Sequence, residues 1–464
     1  MLNNQHENKW PRTGSPDQEV VQYLSGRLLK VTVDKVNIDD DMLKKIAVMM
    51  ALFLWTVTME ATALAVKDGD LVPEPDLEQR MHWAAAYLAH AVTDSGRFRY
   101  RSDLTGEVGD NQKYNLLRHA GTLYAMAQYH SFESPDAFAA GALKRAAKYL
   151  TDHSVGPVGG RPDMLAVWSY PKLIGRPLRP LQAKLGGAGL ALAALVQLEE
   201  ILPGTTDLKM LQGLAEFLLF MQKSDGSFYS KYFSDHGRDD SWTSLYYPGE
   251  AALGLVMLFE IDGNPRWLVA AVDTLRYLAR TREGLDRLPA DHWALLATAR
   301  LFKQKPEVLS SVALFRIPWD SEQDQRGVKQ LLRDHAKRLV RGILSEQIQG
   351  SESACLNGGF NAKGRVTPAA TRLEGLLAAL GLLEEQLLRH RVWTAVETGI
   401  RFLADAQITT GPARGGFARY SPLCHSTARR ANEIRIDYVQ HGLAALYYYK
   451  QYGKTSPRRC TLNP

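Results

Sequence analysis

Residues 184–200 read KLGGAGLALAALVQLEE, a stretch of helical length in which apolar and small residues occupy nearly every side. A helix that is apolar all round belongs in the interior of a protein. Five further stretches of the chain have the same character. The sequence therefore predicts six inner helices, at 114–130, 184–200, 246–262, 291–303, 369–386 and 436–450.

Helices of a second kind alternate with these inner stretches. Each carries many charged residues on one face, which is typical of a helix at an outer surface. These outer helices are predicted at 78–92, 136–152, 206–222, 264–281, about 326–345, and 388–406. Signals for β-strands are sparse. The strict alternation predicts an all-α fold, an (α/α)6 toroid of six helical hairpins that spans residues 66–464.

The composition is that of an ordinary globular chain. Its 464 residues are 45% hydrophobic and 23% charged, which excludes a disordered protein, a collagen-like fibre and a small disulfide scaffold. The 56 Lys and Arg residues only slightly outnumber the 50 Asp and Glu residues, and the sequence has no dense basic block. A nucleic-acid partner is therefore not predicted.

Residues 42–65 have the three parts of a secretory signal. Lys44 and Lys45 precede an apolar run from Ile46 to Val57, and 63–65 read Ala-Leu-Ala, a small-x-small cleavage pattern. We expect 1–41 to be an over-extended gene start or a disordered terminus, and the mature protein to be periplasmic or secreted, with no stable membrane span after cleavage. A buried helix of a cytosolic protein and an uncleaved anchor are the alternatives.

The links between predicted helices have two lengths. Most links from an outer to the next inner helix are long, at 93–113, 153–183, 223–245, 346–368 and 407–435, whereas most links in the other direction are short. Alternating helices place all long links on one face of the ring. Because loops longer than about 12–15 residues are usually functional, this face is the predicted binding mouth.

Several long links contain glycine followed by an aromatic residue. Gln222-x-x-Asp225-Gly226-Ser227-Phe228 is the clearest copy; the others are Gly358-Gly359-Phe360, Gly415-Gly416-Phe417 and the looser Asp94-Ser95-Gly96-Arg97-Phe98. Glycine permits a tight turn after the outer helix. In these repeats the chain resembles the α/α-toroid proteins, namely the six-hairpin glycosidases and the terpenoid cyclase and prenyltransferase group. The resemblance covers about 66–452 and implies the toroid fold, not one chemistry.

Polar side chains recur at the amino-terminal turns of the predicted inner helices, which all face the mouth. Two carboxylates across such a funnel could hydrolyse a glycosidic bond, one as acid and the other as base or nucleophile. The catalytic candidates are Asp240, Glu250, Asp291 and Asp437. Acidic residues at these positions also have a structural interpretation, because they cap helices and complement the helix dipole.

The other residues of these turns suit a carbohydrate, because aromatic faces stack on sugar rings while charged groups bind hydroxyls and carboxylates. The substrate-binding candidates are Tyr114, Arg118, His119, Trp242, Tyr247, His292, Trp293, Arg372, Arg435 and His441. Packing is an alternative role for the tyrosines. Glu374 and Gln440 lie at similar turns and receive no role.

These residues predict a secreted or periplasmic enzyme that acts on a polysaccharide, such as a uronate-containing capsule or exopolysaccharide, by glycoside hydrolysis. One alternative is a polysaccharide lyase or uronate epimerase, in which Tyr247, His119 or His292 removes a proton beside a carboxylate held by Arg118 or Arg372. Another is a glycan-binding or exopolysaccharide-assembly protein without catalysis. No cofactor is predicted, and the oligomeric state stays open.

Cys355 and the pair Cys424-His425 leave three states open. The lanthionine-synthetase cyclases are also α/α toroids and hold zinc with one Cys and an adjacent Cys-His pair, so a resemblance to them implies a zinc-dependent cyclase. The neighbouring residues lack the Trp and Gly of that family, and no metal site is predicted. A disulfide between Cys355 and Cys424 and free thiols are the other two states.

Overall fold

The computed structural model describes residues 74–107, 113–308 and 327–453. The predictions made for 1–41 and for the signal-like segment 42–65 lie outside the described residues. Among the residues described, no helix has both the length and the apolar character that crossing a membrane requires.

Twelve helices of ten or more residues in the described part of the chain alternate as the sequence predicts. The outer helices are α1 (Glu74–Ala91), α3 (Ala137–Ser154), α5 (Leu208–Met221), α7 (Pro265–Thr281), α9 (Gly327–Glu346) and α11 (Gln386–Ala406). The inner helices are α2 (Leu116–Tyr129), α4 (Leu185–Ile201), α6 (Tyr247–Asp262), α8 (His292–Leu301), α10 (Val366–Ala379) and α12 (Ile436–Gly453).

Burial separates the two kinds of helix. In α4 every residue from Leu185 to Leu198 is buried. In α7 the buried residues recur every three or four positions, as in Trp267, Ala271 and Leu275, so only one face of the helix meets the core.

The inner helices form a closed ring. Each packs against the next in the order α2, α4, α6, α8, α10 and α12, and α12 returns to α2. Glycines permit the closest approaches. A Cβ atom at Gly249 of α6 would lie 2.6 Å from the Ala294 nitrogen of α8, and one at Gly189 of α4 would lie 2.7 Å from the Ala251 nitrogen of α6. The predicted (α/α)6 toroid is confirmed.

Each of the four glycine–aromatic repeats packs its own link against the next outer helix of the ring. Gly96, Gly226, Gly358 and Gly415 have φ angles between +83° and +89°. A Cβ atom at any of them would lie within 2.5 Å of a backbone oxygen, in α3, α7, α11 and α1 respectively. Gly415 follows the last outer helix and packs against the first, so this repeat closes the outer ring.

A five-stranded antiparallel sheet, which the sequence analysis did not predict, occupies two of the long links. In spatial order its strands are β2 (Val155–Val158), β3 (Arg161–Ser169), β4 (Gln182–Lys184), β5 (Lys231–Phe233) and β6 (Gly237–Asp239). A separate pair joins β1 (Arg101–Ser102) to β7 (Ile434–Arg435). β3 has nine residues, but the other four strands of the sheet have only three or four each and carry little periodicity. The local signal was Gly159-Gly160, whose positive φ angles form the turn between β2 and β3.

Cys355 and Cys424 form a disulfide, with their Cα atoms 5.4 Å apart. The bond joins the link before α10 to the link before α12. Because it uses both sulfurs that the zinc alternative requires as thiolates, the structure supports the disulfide state and not the zinc site.

Candidate active site

A cavity of about 230 Å³ lies at the amino-terminal ends of the inner helices. All six inner helices contribute to its lining, which consists of Leu117, Arg118, Leu190, Tyr246, Glu250, His292, Trp293, Arg365, Thr367, Pro368, Thr371, Arg372, Asp437, Gln440 and His441. We call this space the reaction cavity. The structure thus brings together seven of the predicted site residues: Arg118, Glu250, His292, Trp293, Arg372, Asp437 and His441.

Asp437, at the start of α12, is held by two arginines. Arg435 forms a two-bonded ion pair with its carboxylate, and Arg118 Nε lies 3.1 Å from Oδ2. Arg118 also donates a 2.6 Å hydrogen bond to the Tyr100 hydroxyl. Burial opposes ionisation of Asp437, but the two guanidinium groups outweigh it and lower the pKa of the carboxyl group. Asp437 is therefore charged at neutral pH.

The pKa of Glu250, in the first turn of α6, is shifted in the opposite direction to that of Asp437. Its side chain is buried, and Oε2 has no hydrogen-bond partner among the described residues. Burial, reinforced by the charge of Asp291, raises the pKa of Glu250 well above its ordinary value and favours the protonated acid. Gly186 of α4 makes room for this group, because a Cβ atom there would lie 2.0 Å from Oε2.

His441 is paired with Glu374 across the interface between α12 and α10. Its Nδ1 lies 2.7 Å from Glu374 Oε1, and both side chains are largely buried. Burial disfavours the charged imidazolium, but the Glu374 carboxylate more than compensates and raises the pKa of His441. If Nδ1 donates to Glu374, Nε2 remains available for a ligand.

His292, the first residue of α8, lacks a carboxylate partner like Glu374 among the described residues. Both of its ring nitrogens are buried, and neither bonds to any residue that the structure describes. Burial lowers the pKa of His292 well below its ordinary value, and the nearby His441 and Arg372 act in the same direction. The rings of His292 and His441 are 5.5 Å apart between centroids. A neutral imidazole and one that favours its charged form therefore share the cavity.

His292, Glu374 and His441 also form the group of described side chains that could hold a metal ion, since their ligand atoms all lie within 4.8 Å of one another. Two imidazoles and a carboxylate suit zinc or another transition metal. An ion at this position would compete with the hydrogen bond between His441 and Glu374.

Asp291 lies next to the reaction cavity but not in its lining. Its Oδ1 accepts a 3.1 Å hydrogen bond from the Ala294 nitrogen and so caps α8, and its Oδ2 lies 2.9 Å from Arg282 Nη2. Asp291 is fully buried. The structure therefore gives this residue the capping role that the sequence analysis weighed against catalysis.

Tyr114 and His119 form a buried pair between α2 and α3. The Tyr114 hydroxyl lies 2.7 Å from His119 Nδ1, and His119 Nε2 lies 2.8 Å from the Ala146 carbonyl oxygen. Burial lowers the pKa of His119 to about 4. With both nitrogens engaged and no place in the reaction cavity, His119 stabilises the packing of two helices.

Three further candidates, Asp240, Trp242 and Tyr247, do not line the reaction cavity. Asp240 is half-exposed and pairs with Lys223 at 2.7 Å. Trp242 is 44% exposed and packs edge-on against Tyr247, with ring centroids 5.8 Å apart. The structure does not bring Asp240 to the other carboxylates, because the loop after β6 directs it to Lys223.

Sequence reasoning assigned no role to Glu374, although it counted it among the polar residues of the inner helices. A carboxylate in the apolar sequence of α10 was the available signal. Arg365, Thr367 and Thr371 line the cavity as well. Arg372 is oriented by Glu346, with Nη2 and Oε2 3.0 Å apart.

No family model matches the chain, and no curated protein matches it in sequence. Solved structures do match. A D-mannose isomerase aligns with a TM-score of 0.55 and 14% identity over 83% of this chain and 100% of its own. The cellobiose 2-epimerase from Spirochaeta thermophila DSM 6192 aligns with a TM-score of 0.53 and 17% identity, over 82% and 98%.

An unsaturated glucuronyl hydrolase specific for heparin aligns with a TM-score of 0.51 and 13% identity, over 82% of this chain and 99% of its own. All three are six-hairpin toroids, which confirms the resemblance stated from the glycine–aromatic repeats. At these identities the likeness concerns the fold. The reaction is therefore inferred from the geometry of the cavity itself.

Proposed function

We propose that this protein is a carbohydrate-acting enzyme that moves a proton on a sugar, as an epimerase or isomerase does, with His292 and His441 as the acid–base pair. The observation that carries this proposal is the pairing of a neutral and a charge-favouring imidazole, 5.5 Å apart, in one cavity. Groups whose pKa values are driven apart are well suited to serve as base and acid in one reaction.

The chemistry needs a carbon beside a carbonyl group. His292 accepts the proton of the C–H bond, and the electron pair moves to the carbonyl oxygen to give an enediolate. The His441 imidazolium, held by Glu374, then donates its proton and a new C–H bond forms. Arg118 and Arg372 line the same cavity and can stabilise the negative oxygen. No oxidant or reductant is consumed.

The names of the structural neighbours support this reading of the site. The D-mannose isomerase and the cellobiose 2-epimerase share the toroid, and their names denote the isomerisation and the epimerisation of sugars. The sequence alone favours hydrolysis, whereas the two histidines in the reaction cavity favour epimerisation.

Glycoside hydrolysis is the second candidate, and one observation favours it. Glu250 and Asp437 line the same cavity with pKa values shifted in opposite directions, as an acid and a base or nucleophile require. Against it, both carboxylate oxygens of Asp437 are already bound by Arg435. A carboxylate engaged in this way is a weak nucleophile.

Incubation with unlabelled sugars in heavy water distinguishes the candidates, because proton transfer inserts deuterium at carbon and hydrolysis releases reducing ends. We expect deuterium in the sugar, and a loss of about 10²–10⁴-fold in His292→Asn and His441→Asn. Glu250→Gln should retain this exchange. Release of reducing ends that depends on Glu250 and Asp437 would instead establish the hydrolase.

Two results would point elsewhere. Binding of glycans without exchange or hydrolysis would identify a non-catalytic glycan-binding or assembly protein. Activity that disappears with a chelator and returns with zinc would assign His292, Glu374 and His441 to a metal, in place of direct proton transfer.

We also propose that the protein is exported to the periplasm or the medium. The signal-like segment 42–65 and the Cys355–Cys424 disulfide support this, because disulfides persist in oxidising compartments. Amino-terminal sequencing of the protein recovered from cells is the test. A start near residue 66 is expected, and an intact Met1 would overturn the proposal.

A further inference from the structure

A second cavity, of about 220 Å³, meets the reaction cavity at Arg118, which lines both. We call it the cationic cavity. Its charged lining residues are Arg101, Lys113, Arg118, Arg176, Arg179 and Lys184, and none of the described residues that line it carries a carboxylate. The reaction cavity, by contrast, is lined by Glu250 and Asp437 as well as by arginines.

Four of these six cations have no carboxylate partner in the described part of the chain. Arg118 pairs with Asp437, and Arg101 Nε lies 3.6 Å from Glu433. No carboxylate in the described ranges lies within salt-bridge distance of the other four cations, which are Lys113, Arg176, Arg179 and Lys184. Side chains of one sign gathered in a cleft raise the local concentration of ions of the opposite sign.

Lys184, which lines the cationic cavity, is the last residue of β4 and directly precedes α4. Burial lowers the pKa of Lys184, and the charges of Arg118 and Arg179 lower it further. The positive end of the α4 dipole acts on the same space. Folding has therefore brought together charges that repel one another, and a bound anion would relieve this repulsion.

The loop before β4 is well placed to keep its arginines at the cavity. The Ile174 carbonyl accepts a 3.2 Å hydrogen bond from the Tyr114 nitrogen, and the Pro171 carbonyl accepts one of 2.8 Å from the Arg176 nitrogen. Arg179 lies one residue before Pro180, and proline restricts the backbone on both sides of that bond. An ordered loop backbone reduces the conformational entropy that is lost when a ligand binds.

We propose that the cationic cavity binds an acidic substituent of the carbohydrate while the adjoining sugar ring occupies the reaction cavity. This inference rests on the proposed function and names its substrate class, an acidic saccharide that bears a carboxylate, sulfate or phosphate group. Guanidinium groups match these oxyanions with two parallel hydrogen bonds. Arg118 lies where the acidic group and the reacting sugar meet.

Equilibrium binding by calorimetry tests the inference without turnover, so a failure of the proposed catalysis does not affect the result. The probes are tetrasaccharides of glucuronate, of sulfated glucose, of phosphorylated glucose and of unmodified glucose, together with inorganic sulfate and phosphate. The variants are Arg179→Gln and Lys184→Gln. Lys172→Gln is the matched control, because Lys172 is an exposed cation of the same loop that does not line the cavity.

We expect at least one acidic tetrasaccharide to bind about tenfold or more tighter than the neutral one, because hydrogen bonds to charged groups are strong. Arg179→Gln and Lys184→Gln should each remove most of this preference, and Lys172→Gln should retain it. Added salt should weaken only the acidic probes.

Three results would overturn the inference. The first is equal affinity for acidic and neutral tetrasaccharides. The second is a preference that survives both Arg179→Gln and Lys184→Gln. The third is binding of inorganic sulfate or phosphate as tight as that of every acidic tetrasaccharide, which would identify a site for a free anion.

Discussion

His441 Nδ1 lies 2.7 Å from Glu374 Oε1, although the two residues are 67 positions apart in the chain and belong to different inner helices. The contact exists because α10 and α12 are neighbours in the closed ring. Glu374 is only 2% exposed, and an ion pair is stronger away from water. The carboxylate therefore both orients the imidazole and favours its protonated form.

Glu374→Gln should lower the pKa of His441, because it removes the charge that raises it. The proposed proton donor is the His441 imidazolium, which will then lose its proton at a lower pH. The alkaline limb of the pH–rate profile will therefore move to lower pH. Near neutral pH we expect kcat to fall about 10²-fold. The pH–rate profile and an NMR titration of the His441 ring measure the two effects.

Glu385→Gln is the control for that variant, because Glu385 is an exposed glutamate that pairs with Arg341 on the outer surface. It should change neither measurement. An unaltered His441 titration in Glu374→Gln would show that the carboxylate does not govern the imidazole, and the proposed role of Glu374 as a positioning residue would be withdrawn.

Gly186 and Gly187 provide a matched test of how the cavity is packed. A Cβ atom at Gly186 would lie 2.0 Å from Glu250 Oε2 and 2.4 Å from the Tyr247 ring, whereas the nearest atom to one at Gly187 is 3.7 Å away in Val167. Gly186→Ala should therefore lower the free energy of unfolding by about 1–3 kcal/mol. Gly187→Ala should leave it unchanged or raise it by up to about 1 kcal/mol. Urea unfolding measures both, and equal effects would contradict the close approach.

His119 should make the protein sensitive to acid. Its pKa is about 4 in the folded protein, against an ordinary value of 6.5, so the unfolded chain binds more protons between these values. The free energy of unfolding should consequently fall as the pH is lowered from about 6.5 towards about 4, by up to about 3 kcal/mol from this residue.

His119→Gln should remove that contribution and flatten the pH dependence, whatever it costs at neutral pH. Urea unfolding at about pH 7.5 and about pH 5 is the measurement, with about 2 kcal/mol of the difference expected from His119. His390→Gln is the control, because His390 is exposed. Parallel pH curves for the wild type and His119→Gln would refute the assignment.

The Cys355–Cys424 disulfide closes a loop of 69 residues in sequence separation. A loop of this size should stabilise the folded protein by about 4 kcal/mol through restriction of the unfolded chain. In urea unfolding, the free energy of unfolding of the double variant Cys355→Ser/Cys424→Ser should be lower than that of the wild type by this amount. A double variant as stable as the wild type would contradict the prediction.

The ring of helices could be predicted from the sequence because burial determines composition. Inner stretches such as 184–200 are apolar on all sides, and outer stretches such as 264–281 on one side only. The predicted bounds of α4, 184–200, differ by one residue at each end from Leu185–Ile201. The sheet was missed because β4, β5 and β6 have three residues each, too few for a pattern.

The site was only partly predictable, because the sequence gives the end of a helix and not the direction of a side chain. Arg118 and Asp291 both belong to first turns, yet Arg118 reaches the cavity and Asp291 points to Arg282. Glu374 was recognised as a polar residue near the start of an inner helix but received no role; it lies in the third turn of α10. The pairing of Glu374 with His441 requires α10 and α12 to be neighbours, and this adjacency is established only by the closed ring.

Lys450 Nζ lies 2.8 Å from Glu78 Oε1, so the end of α12 lies beside the start of α1. Any of the six hairpins could therefore come first along the polypeptide while their cyclic order in space is kept. A circular permutant, opened in the short turn between Asp262 and Pro265 and spliced from α12 to α1, would present the same six amino-terminal turns. The reaction cavity belongs to the annulus as a whole, and evolution could relocate the termini without rebuilding it.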